Sequence, residues 1–512
     1  MSLLAIDIGS STCKAVAFST GGEILNQHAA GYIPDFPQPA RAEMDPRRFW
    51  EAVCTCTQAV AKTCNDPIRA LCLSSHGETI IPVGKANEAI APAILNQDNR
   101  ATRETTWLEQ QFGRQRLFET TGLVAHSMYS VPKILWLRRH QPEIFSSAAK
   151  FVSVIGYVLL RLGLSPYVDY SLASRYLAFN VRQRRWAEDL LDAADLAPDR
   201  LPIAVPAGTV AGSIDASGAS ALGLPRGTPI VLGGHDQPCG ALGLGVIGPG
   251  HVADSMGTYE CVLAASDQPI LTDAALAGSL NSYCHVVPEK YVTIAFFPSG
   301  IMVKWFHDLL YSCAGAKIGS DVEESEAEHY AGLEAHSPAG PTGLSITPHL
   351  IGTGNPDFKP HARAIISGLG PGAGRAEIYK GILEGLACEF LQVTQLLARA
   401  VGPFQDIQVT GGGTRSALGL KLRAALASKC LHVMRCPEAV CLGGAILAGV
   451  AIREYANVAE AVARVVHEDA VVAPEPTIAS NYTHQVKQYQ LLRSSLALLQ
   501  APGSAECRKE EP

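Results

Sequence analysis

The chain begins with short apolar segments separated by glycine turns. The segments Leu3–Ile8, Cys13–Phe18 and Glu23–Ala30 have strand length, and the turns Gly9–Thr12 and Thr20–Gly22 lie between them. Short apolar segments bounded by turn residues are typical of β-strands joined as hairpins. The N-terminus is therefore predicted to form a β-meander.

After the meander, the spacing of apolar residues predicts helices and further strands. Asp45 and Pro46 are a capping residue and a first-turn proline, which favours a helix start at this point. Apolar residues recur on one face of that helix, at Phe49, Trp50, Val53 and Val60. A buried strand is predicted at Ala70–Ser74, and an apolar strand leads to Asp236. Between these strands, helical patterns lie at Thr102–Phe112, Val131–Arg139 and Trp186–Ala194. The alternation predicts an α/β fold.

A change of pattern near residue 248 divides the chain. Small residues at Cys239–Val246 predict a helix, which Gly248, Pro249 and Gly250 would end. Beyond this point, strand, glycine turn, strand and helix occur again, at His251–Ser255, Tyr291–Phe297, Ala376–Ala400 and Val409–Gly413. A length of 512 residues also exceeds the usual single-domain size. We expect two similar lobes with a nucleotide cleft between them.

These patterns give three predicted parts. Residues 1–247 form an N-terminal domain, 248–480 a C-terminal domain, and 481–512 a helix with a polar tail. Val486–Leu499 has the helical pattern, and Ala501–Pro512 is predicted to be disordered.

Composition narrows the function classes. The chain has 41 basic and 48 acidic residues, a formal net charge of −7, which offers no attraction for nucleic acid or an anionic membrane. The 14 cysteines show no CxxC motif and no clustered ligand spacing, so buried thiols are expected rather than zinc ligands or disulfides. The N-terminus lacks a signal-peptide pattern, and no apolar run reaches the roughly 20 residues that span a bilayer. We expect a cytoplasmic protein that acts on a small molecule.

Acids stand beside glycine turns at two strand ends. Asp7 precedes the turn Gly9–Thr12, where backbone N–H groups and hydroxyls could face a polyphosphate while the acid holds hydrated Mg²⁺. An ordinary hairpin with a nearby acid is the alternative. Asp236 follows an apolar strand and the turn Gly233-Gly234. This placement suggests a phosphoryl-transfer enzyme with Asp236 as its base.

Other glycine-rich segments differ in what they predict. Gly411–Gly413 precedes a helical pattern and could seat nucleotide phosphate or ribose, although a turn required only by packing is the alternative. Gly257-Thr258 ends another strand. The GxGxxG motif at Gly243–Gly248 lies late in a helical segment, whereas a dinucleotide loop must follow a strand. No GxxxxGK[ST] motif occurs, which argues against a P-loop kinase.

A polar set follows the strand Ala70–Ser74. It consists of Ser74, Ser75, His76, Glu78 and Thr79. Open α/β sheets place ligand contacts at such strand ends. A single histidine is more often a satisfied structural residue, but five polar residues together favour substrate binding.

Together, these segments resemble the FGGY family of carbohydrate kinases, members of the sugar kinase, Hsp70 and actin superfamily. The resemblance runs from about Leu3 to Val450 and includes connecting pieces such as Glu43–Pro46 and Leu383–Gly385. It implies two ribonuclease-H-like domains around a nucleotide cleft, with ATP and Mg²⁺ as cofactors. The resemblance also implies that the small-molecule partner is a sugar. Whether the protein forms a homodimer is left undecided by the sequence.

The resemblance also implies roles for individual residues. Asp236 would be the general base, and Asp7 would hold the metal through water. The substrate residues would be Ser75, His76, Glu78, Asp98 and Gln237. The ATP residues would be Gly9, Ser10, Ser11, Thr12, Lys14, Gly257, Thr258, Gly411, Gly412, Gly413 and Arg415.

Similarity to the xylulokinase branch of the family rests on His76-Gly77, on Pro92–Leu95 with Asp98 and Arg100, and on Pro132-Lys133. It implies conversion of D-xylulose to D-xylulose 5-phosphate. The chain departs from that pattern at four places. Ser75 precedes His76, and Glu78-Thr79 follows it as in glycerol kinases. Asn96 stands where many relatives have Trp, and Tyr259-Glu260 follows the second phosphate turn.

Three alternatives remain open at this stage. The acceptor could be another ketose, an alditol or a sugar acid, because a few pocket side chains decide substrate choice. The chain could instead be an actin- or Hsp70-like ATPase without a sugar substrate, although we see no peptide-binding domain. A catalytically silent sugar sensor is disfavoured by Asp236 and the phosphate turns.

Overall fold

Two mixed β-sheets organise the chain in the computed structural model, which describes residues 1–311 and 325–499. In residues 1–243 the strands are β1 (Ser2–Ile8), β2 (Thr12–Ser19), β3 (Ile24–Gly31), β4 (Glu43–Met44), β5 (Ile68–Ser75), β6 (Ile81–Val83), β7 (Ala93–Ile94), β8 (Lys150–Val152), β9 (Tyr167–Asp169), β10 (Phe179–Asn180), β11 (Arg185–Trp186), β12 (Ile203–Val205), β13 (Val210–Ser213) and β14 (Pro229–His235). The helices there are α1 (Pro46–Thr63), α2 (Thr102–Phe112), α3 (Arg114–Thr121), α4 (Ser130–His140), α5 (Pro142–Ser147), α6 (Val154–Arg161), α7 (Tyr170–Ser174), α8 (Glu188–Ala193), α9 (Ala216–Leu222) and α10 (Asp236–Gly243).

The second part of the chain contains the remaining elements. Its strands are β15 (Val252–Met256), β16 (Tyr259–Ser266), β17 (Asn281–Cys284), β18 (Tyr291–Pro298), β19 (Ser345–Thr347), β20 (Ile365–Ser367), β21 (Asp406–Thr410), β22 (Cys430–Met434) and β23 (Glu468–Val472). Its helices are α11 (Asp273–Ala277), α12 (Gly300–Tyr311), α13 (Glu326–Ala335), α14 (Arg375–Val401), α15 (Ala417–Ala427), α16 (Ala439–Ala451), α17 (Val458–Val465), α18 (Pro476–Asn481) and α19 (Thr483–Leu499).

The predicted meander forms one side of the first sheet, whose strand order is β13-β14-β5-β1-β2-β3. Strands β1, β2 and β3 pair antiparallel, whereas β1, β5 and β14 run parallel. In the parallel part, Ser75 lies opposite both Ile8 and His235. The carboxyl ends of these three strands therefore meet at one edge of the sheet.

The second sheet repeats this arrangement, with strand order β17-β18-β16-β15-β21-β22-β23. Its first strands also pair antiparallel, and β15, β21 and β22 run parallel. Ser255 and Thr410 lie opposite each other where two of these strands end. The two similar lobes expected from the repeated sequence pattern are present, and the α/β, two-domain fold is confirmed.

Helix α1 shows how local sequence positions an element against the first sheet. The Asp45 side chain accepts a hydrogen bond from the Arg47 backbone N–H, which caps the first turn. The apolar stripe is buried at Phe49, Val53 and Val60, whereas Trp50 is only partly buried at its edge. Burial of this stripe stabilises the helix more than its intrinsic propensity does.

Helix α16 crosses from the second half of the chain to the first sheet. It packs against β1, β5 and helix α10, and Cys441, Leu442, Ala445 and Ile446 share an apolar cluster with residues of β1 and β5. The crossing of α10 and α16 is very close: a Cβ on Gly243 would lie 1.9 Å from the Ala439 carbonyl oxygen. A Cβ on Gly443 would lie 1.9 Å from the Cys239 carbonyl oxygen. Only glycine fits at these two positions.

This crossing gives the GxGxxG motif a structural role. Gly243 ends α10 at the contact with α16, and Gly245 has a φ of +82°, which turns the chain after the helix. A Cβ on Gly248 would meet nothing within 4 Å. The motif belongs to helix packing and a helix end, in agreement with its rejection as a dinucleotide loop.

Several predicted boundaries need correction. The helix expected at Trp186–Ala194 begins only at Glu188, because Trp186 pairs with Phe179 in a short hairpin. The helix expected at Cys239–Val246 begins three residues earlier, at Asp236, and ends at Gly243. The predicted helix at Val486–Leu499 lies within α19, and the expected disorder of Ala501–Pro512 lies outside the described residues.

Two further observations concern the described residues as a whole. No helix in these ranges has the length and apolar character needed to cross a membrane. The cysteines in residues 1–311 and 325–499 are free thiols.

The close crossing of α10 and α16 predicts a specific sensitivity to side-chain volume. We expect Gly443→Ala to destabilise the protein by about 1–3 kcal/mol, since the new methyl group meets backbone atoms that cannot move away cheaply. Thermal unfolding measures the effect.

Gly332 is the matched control, because it also lies inside a helix but has open space around it. Gly332→Ala should leave stability unchanged or raise it by about 1 kcal/mol through helix propensity. Equal melting temperatures for Gly443→Ala and the unchanged protein would contradict the packing account.

Candidate active site

The carboxyl edge of the first sheet brings the two predicted acids together. Asp7 lies in β1 one residue before its end, and Asp236 is the first residue of α10, directly after β14. The Asp236 Oδ1 accepts a hydrogen bond from the Gln237 backbone N–H at 2.6 Å. The same oxygen lies 3.3 Å from His235 Nε2. The helix start and the strand end thus fix the position of this carboxylate.

A cavity of about 120 Å³ lies between the two sheets beside these acids. Predicted residues from both halves of the chain line it, namely Asp7, Asp236, Gln237 and Gly411. Residues outside the predicted site also line it, among them Ser255, Cys261, Thr410, Glu438 and Cys441. The cavity lies where the cleft was expected, and residues of α10 and α16 form one of its walls.

Burial makes both carboxyl groups unusually basic, and neighbouring acids add to the effect. Burial raises the pKa of Asp236 well above its usual value, and the negative charges of Asp7 and Glu78 add to the effect. Burial also raises the pKa of Asp7 to about 7; Lys14 lowers it and Glu438 raises it. A more basic carboxylate is a better proton acceptor, provided that it is ionised at the working pH.

Lys14 does not point freely into the cleft. Its ammonium group donates to both oxygens of Glu438, at 2.8 and 2.7 Å. This ion pair joins β2 of the first sheet to the segment that begins α16. If Lys14 binds phosphate, as the resemblance implies, the phosphate must compete with Glu438 for it.

The first glycine turn leaves backbone donors available. The Gly9 N–H donates to the Thr12 carbonyl at 2.9 Å, and a Cβ on Gly9 would approach that same oxygen to 2.9 Å. Within the described residues, the N–H groups of Ser10 and Ser11 have no hydrogen-bond acceptor. This geometry suits a turn that presents N–H groups to an anion.

The second and third glycine turns lie against each other. The Gly257 carbonyl accepts from the Gly300 N–H at 3.0 Å, while the exposed Thr258 N–H has no acceptor in the described part of the chain. A Cβ on Gly411, which has a φ of +96°, would lie 2.6 Å from the Met256 carbonyl oxygen. Gly412 faces open space, and Arg415 is exposed. The strand end before the second glycine turn thus contacts the start of the third turn at Gly411.

The polar set after β5 is mostly occupied by contacts within the protein. His76 Nδ1 lies 2.9 Å from the Ile8 carbonyl oxygen, and His76 Nε2 lies 2.7 Å from the Thr79 hydroxyl. The Ser75 hydroxyl donates to the His76 carbonyl at 3.0 Å. Both ring nitrogens of His76 therefore already have partners. A direct role of Ser75 and His76 in substrate binding stays a prediction.

Asp98 is also held by its surroundings. Its Oδ2 accepts from the Ala42 N–H at 2.7 Å, and both oxygens accept from Arg100. Arg100 in turn binds Glu43 at 2.6 Å. This network orders the loop next to Asn96, whose Oδ1 is buried without a hydrogen-bond partner in the described residues. A direct role of Asp98 in substrate binding therefore stays a prediction.

Sequence reasoning missed the partner of Glu78. Arg175, 97 residues later, donates from Nε to Glu78 Oε1 at 2.5 Å, and both side chains are almost completely buried. A buried acid such as Glu78 requires a cation or several donors. No spacing in the sequence shows which of the many basic residues supplies it.

The structure also accounts for Glu260, which the sequence singled out as a departure. Glu260 is buried and accepts from Arg423 at 2.9 and 2.7 Å and from the Ser299 hydroxyl at 2.7 Å. This ion pair links β16 to α15. Glu260 is therefore a structural residue of the second domain, whereas Tyr259 lies exposed beside the second glycine turn.

Comparison with known families places this cleft in a wider context. Residues 2–243 match the N-terminal domain of the FGGY family of carbohydrate kinases, and residues 252–452 match its C-terminal domain. The chain belongs to the FGGY family of carbohydrate kinases. This member of the family is therefore a sugar kinase, and the predicted boundary at 247/248 falls between the two matched segments.

Curated relatives differ in the substrate that their names give. The chain is 26% identical to the gluconokinase of Bacillus subtilis (strain 168) over 452 residues, which cover 87% of this chain and 86% of that protein. It is 27% identical to the xylulose kinase of Escherichia coli (strain K12) over 418 residues, or 81% and 82% of the two chains.

Solved structures agree on the fold. A ligand-bound xylulose kinase from Lactobacillus acidophilus superposes with a TM-score of 0.88 at 23% identity, covering 98% of this chain and 99% of that one. A glycerol kinase from Plasmodium falciparum with ADP gives a TM-score of 0.84 at 19% identity, covering 97% and 98%.

The raised pKa of Asp7 predicts a pH-dependent effect on stability. An acid with a folded-state pKa near 7 and an unfolded value near 3.8 destabilises the fold once pH rises through this interval, because its ionised form is disfavoured by burial. In the protein without ligands, Asp7→Asn should therefore raise the melting temperature at pH 8, and the gain should fade toward pH 4.

Asp199→Asn, which changes an exposed carboxylate, is the control and should change the melting temperature little at either pH. A melting temperature of Asp7→Asn that shows no pH-dependent gain over the unchanged protein would contradict the raised pKa.

Proposed function

We propose that this sugar kinase transfers the γ-phosphoryl group of ATP to a hydroxyl of a small sugar, with D-xylulose to D-xylulose 5-phosphate as the first reaction to test and Asp236 as the general base. The observation that carries the proposal is the position of Asp236 beside Asp7 in the cavity that also contacts the third glycine turn. Similarity to xylulose kinases supports the choice of substrate.

In the proposed reaction, Asp236 accepts the proton of the attacking hydroxyl. It is the first residue of α10, and its burial makes it more basic than an exposed aspartate. Phosphoryl transfer needs little covalent chemistry from the protein, so alignment and charge stabilisation supply most of the acceleration. Gln237, which lines the same cavity, would orient the acceptor.

The three glycine turns would bind the nucleotide. The N–H groups of Ser10, Ser11 and Thr258, which have no acceptor within residues 1–311 and 325–499, are suitable donors to phosphate oxygens. Gly411–Gly413 and exposed Arg415 precede α15, where the helix start and open backbone suit the nucleoside part. Phosphate binding would draw Lys14 away from Glu438.

The residues at the cleft also fit Mg²⁺. Asp7 Oδ1 is buried without a hydrogen-bond partner among the described residues, and oxygen atoms are the ligands that Mg²⁺ prefers. Asp7 would hold the ion, directly or through water. When bound, Mg²⁺ neutralises charge on the phosphates, which lie next to two acids.

An acceptor panel tests the proposed reaction. We expect ADP release from ATP and Mg²⁺ to be stimulated strongly by one of D-xylulose, L-xylulose, D-ribulose, L-ribulose, glycerol, erythritol and gluconate. In Asp236→Ala, turnover with that acceptor should fall by about 10²–10⁴, the range for loss of a general base, while its KM changes little.

Asp199→Ala removes an exposed carboxylate and should keep normal turnover. Normal turnover in Asp236→Ala would exclude Asp236 as the base. ATP hydrolysis that no acceptor stimulates would instead favour the actin- or Hsp70-like ATPase.

A further inference from the structure

The peptide group that joins Gly234 to His235 lies directly before the proposed base, Asp236. Its carbonyl oxygen accepts a hydrogen bond from the Ser74 hydroxyl at 3.0 Å. Its N–H donates to the Ser171 hydroxyl at 2.9 Å. Two side chains from different elements, β5 and α7, therefore hold both polar ends of this one peptide group.

These hydrogen bonds occur where the pairing of the strands is irregular. The register of β14 against β5 shifts between Leu232 and Gly234, so that Gly233 has no partner residue on β5. Gly234 has a φ of +136°, which is outside the strand conformation. A bulge of this kind interrupts the ladder and changes the direction of the strand. Side chains thus hold the chain at the point where the ladder does not.

The bulge has no room for a side chain. A Cβ on Gly234 would lie 2.6 Å from Ser171 Oγ and 2.7 Å from Asp169 Oδ2. A Cβ on Gly233 would lie 2.7 Å from the Leu73 carbonyl oxygen. The two glycines therefore allow the end of β14 to lie directly against Asp169 and Ser171.

Asp169 determines where the Ser171 hydroxyl donates its proton. Asp169 Oδ2 accepts from the Ser171 hydroxyl at 2.6 Å and from the Ser171 backbone N–H at 2.7 Å, and Oδ1 accepts from the Leu172 N–H at 3.1 Å. Burial raises the pKa of Asp169 to about 6, and the hydrogen bonds from Ser171 lower it, so the carboxyl is ionised at pH 8. An ionised carboxylate only accepts. Ser171 therefore donates to Asp169 and keeps its lone pairs for the His235 N–H.

Together, Ser74, Ser171 and Asp169 form a clamp on the peptide group before Asp236. Ser171 is 0% exposed, Asp169 1% and Ser74 2%, so water cannot replace a hydroxyl that is removed. Loss of either serine would leave a buried peptide N–H or carbonyl without that partner, and movement of the peptide would relieve the cost. Within the described residues, none of the three lines the cavity, so their effect on a reaction there would pass through the position of Asp236.

We propose that the clamp positions the general base: it fixes the peptide group before Asp236 and so holds the carboxylate where it can accept the proton of the acceptor hydroxyl. The inference rests on the proposed function, because it takes Asp236 as the base of that reaction. It also gives Ser74, which the sequence placed in a substrate-binding set, a contact behind the cleft instead.

Kinetics of serine variants of the full-length protein at pH 8 test the clamp. In Ser171→Ala, kcat with the best acceptor of the panel should fall by about 10-fold, the effect of about 1.4 kcal/mol, while the KM values of acceptor and ATP change little. In Ser74→Ala/Ser171→Ala, kcat should fall by about 100-fold, the size expected when a reacting group is misplaced by about 1 Å.

A double-mutant cycle separates positioning from a general loss of stability. In Asp236→Ala the clamp has no carboxylate to position, so the addition of Ser171→Ala should lower the residual turnover by less than about 2-fold. A residue with a merely structural role would lower turnover by the same factor in both backgrounds.

Ser282→Ala is the matched control. Ser282 is also completely buried, and its hydroxyl accepts the Ile270 backbone N–H at 2.8 Å. This variant should lower the melting temperature about as much as Ser171→Ala does, with an unchanged kcat. If Ser171→Ala fails to fold, Ser74→Ala and Asp169→Asn carry the same test.

The outcomes separate the two proposals. If no acceptor is phosphorylated, or if Asp236→Ala keeps normal turnover, the proposed reaction or its base is wrong, and the clamp has no base to position. If Asp236→Ala loses turnover but folded clamp variants keep a normal kcat, the kinase reaction stands and the positioning role is wrong. An equal effect of Ser171→Ala in both backgrounds leads to the same conclusion.

Discussion

The close crossing of α10 and α16 is the contact on which the site depends. These helices come from different halves of the chain, and Gly243 and Gly443 allow their backbones to touch. The contact places the start of α10, which carries Asp236, beside the start of α16, which follows Glu438. It also seats α16 on the first sheet. A larger side chain at the crossing would move one wall of the cleft relative to Asp7.

The negative charge of the cleft means that a nucleotide needs additional positive or hydrogen-bonding groups to bind there. Asp7, Asp236 and Glu438 surround the cavity, and Lys14 is already paired with Glu438. Burial raises the pKa of Asp7 and Asp236, and the negative charges of Glu438 beside Asp7 and of Asp7 beside Asp236 raise it further. The proposed ATP adds further negative charge. A divalent cation and free backbone N–H groups would supply the compensation that the side chains do not.

Local sequence patterns predicted the helices, the strands and the strand ends, because glycine turns and the spacing of apolar residues determine structure over only a few residues. Asp7, Asp236, Gln237 and Gly411 could be placed at the cleft in this way. Partners distant in sequence could not: Glu438 is 424 residues from Lys14, and the spacing of Arg175 from Glu78 follows no local rule. The sequence also did not show that the Ala42 N–H and Arg100 already donate to Asp98, whose contact with the substrate stays a prediction.

The central claim is that the phosphoryl group goes to an acceptor hydroxyl rather than to water. Phosphorus NMR of a reaction mixture with ATP, Mg²⁺ and the best acceptor of the panel tests this most directly, since it shows where the phosphorus is bound. The account predicts a phosphomonoester resonance coupled to carbinol protons of the acceptor, formed in equal amount to ADP. Inorganic phosphate as the sole product beside ADP would contradict it.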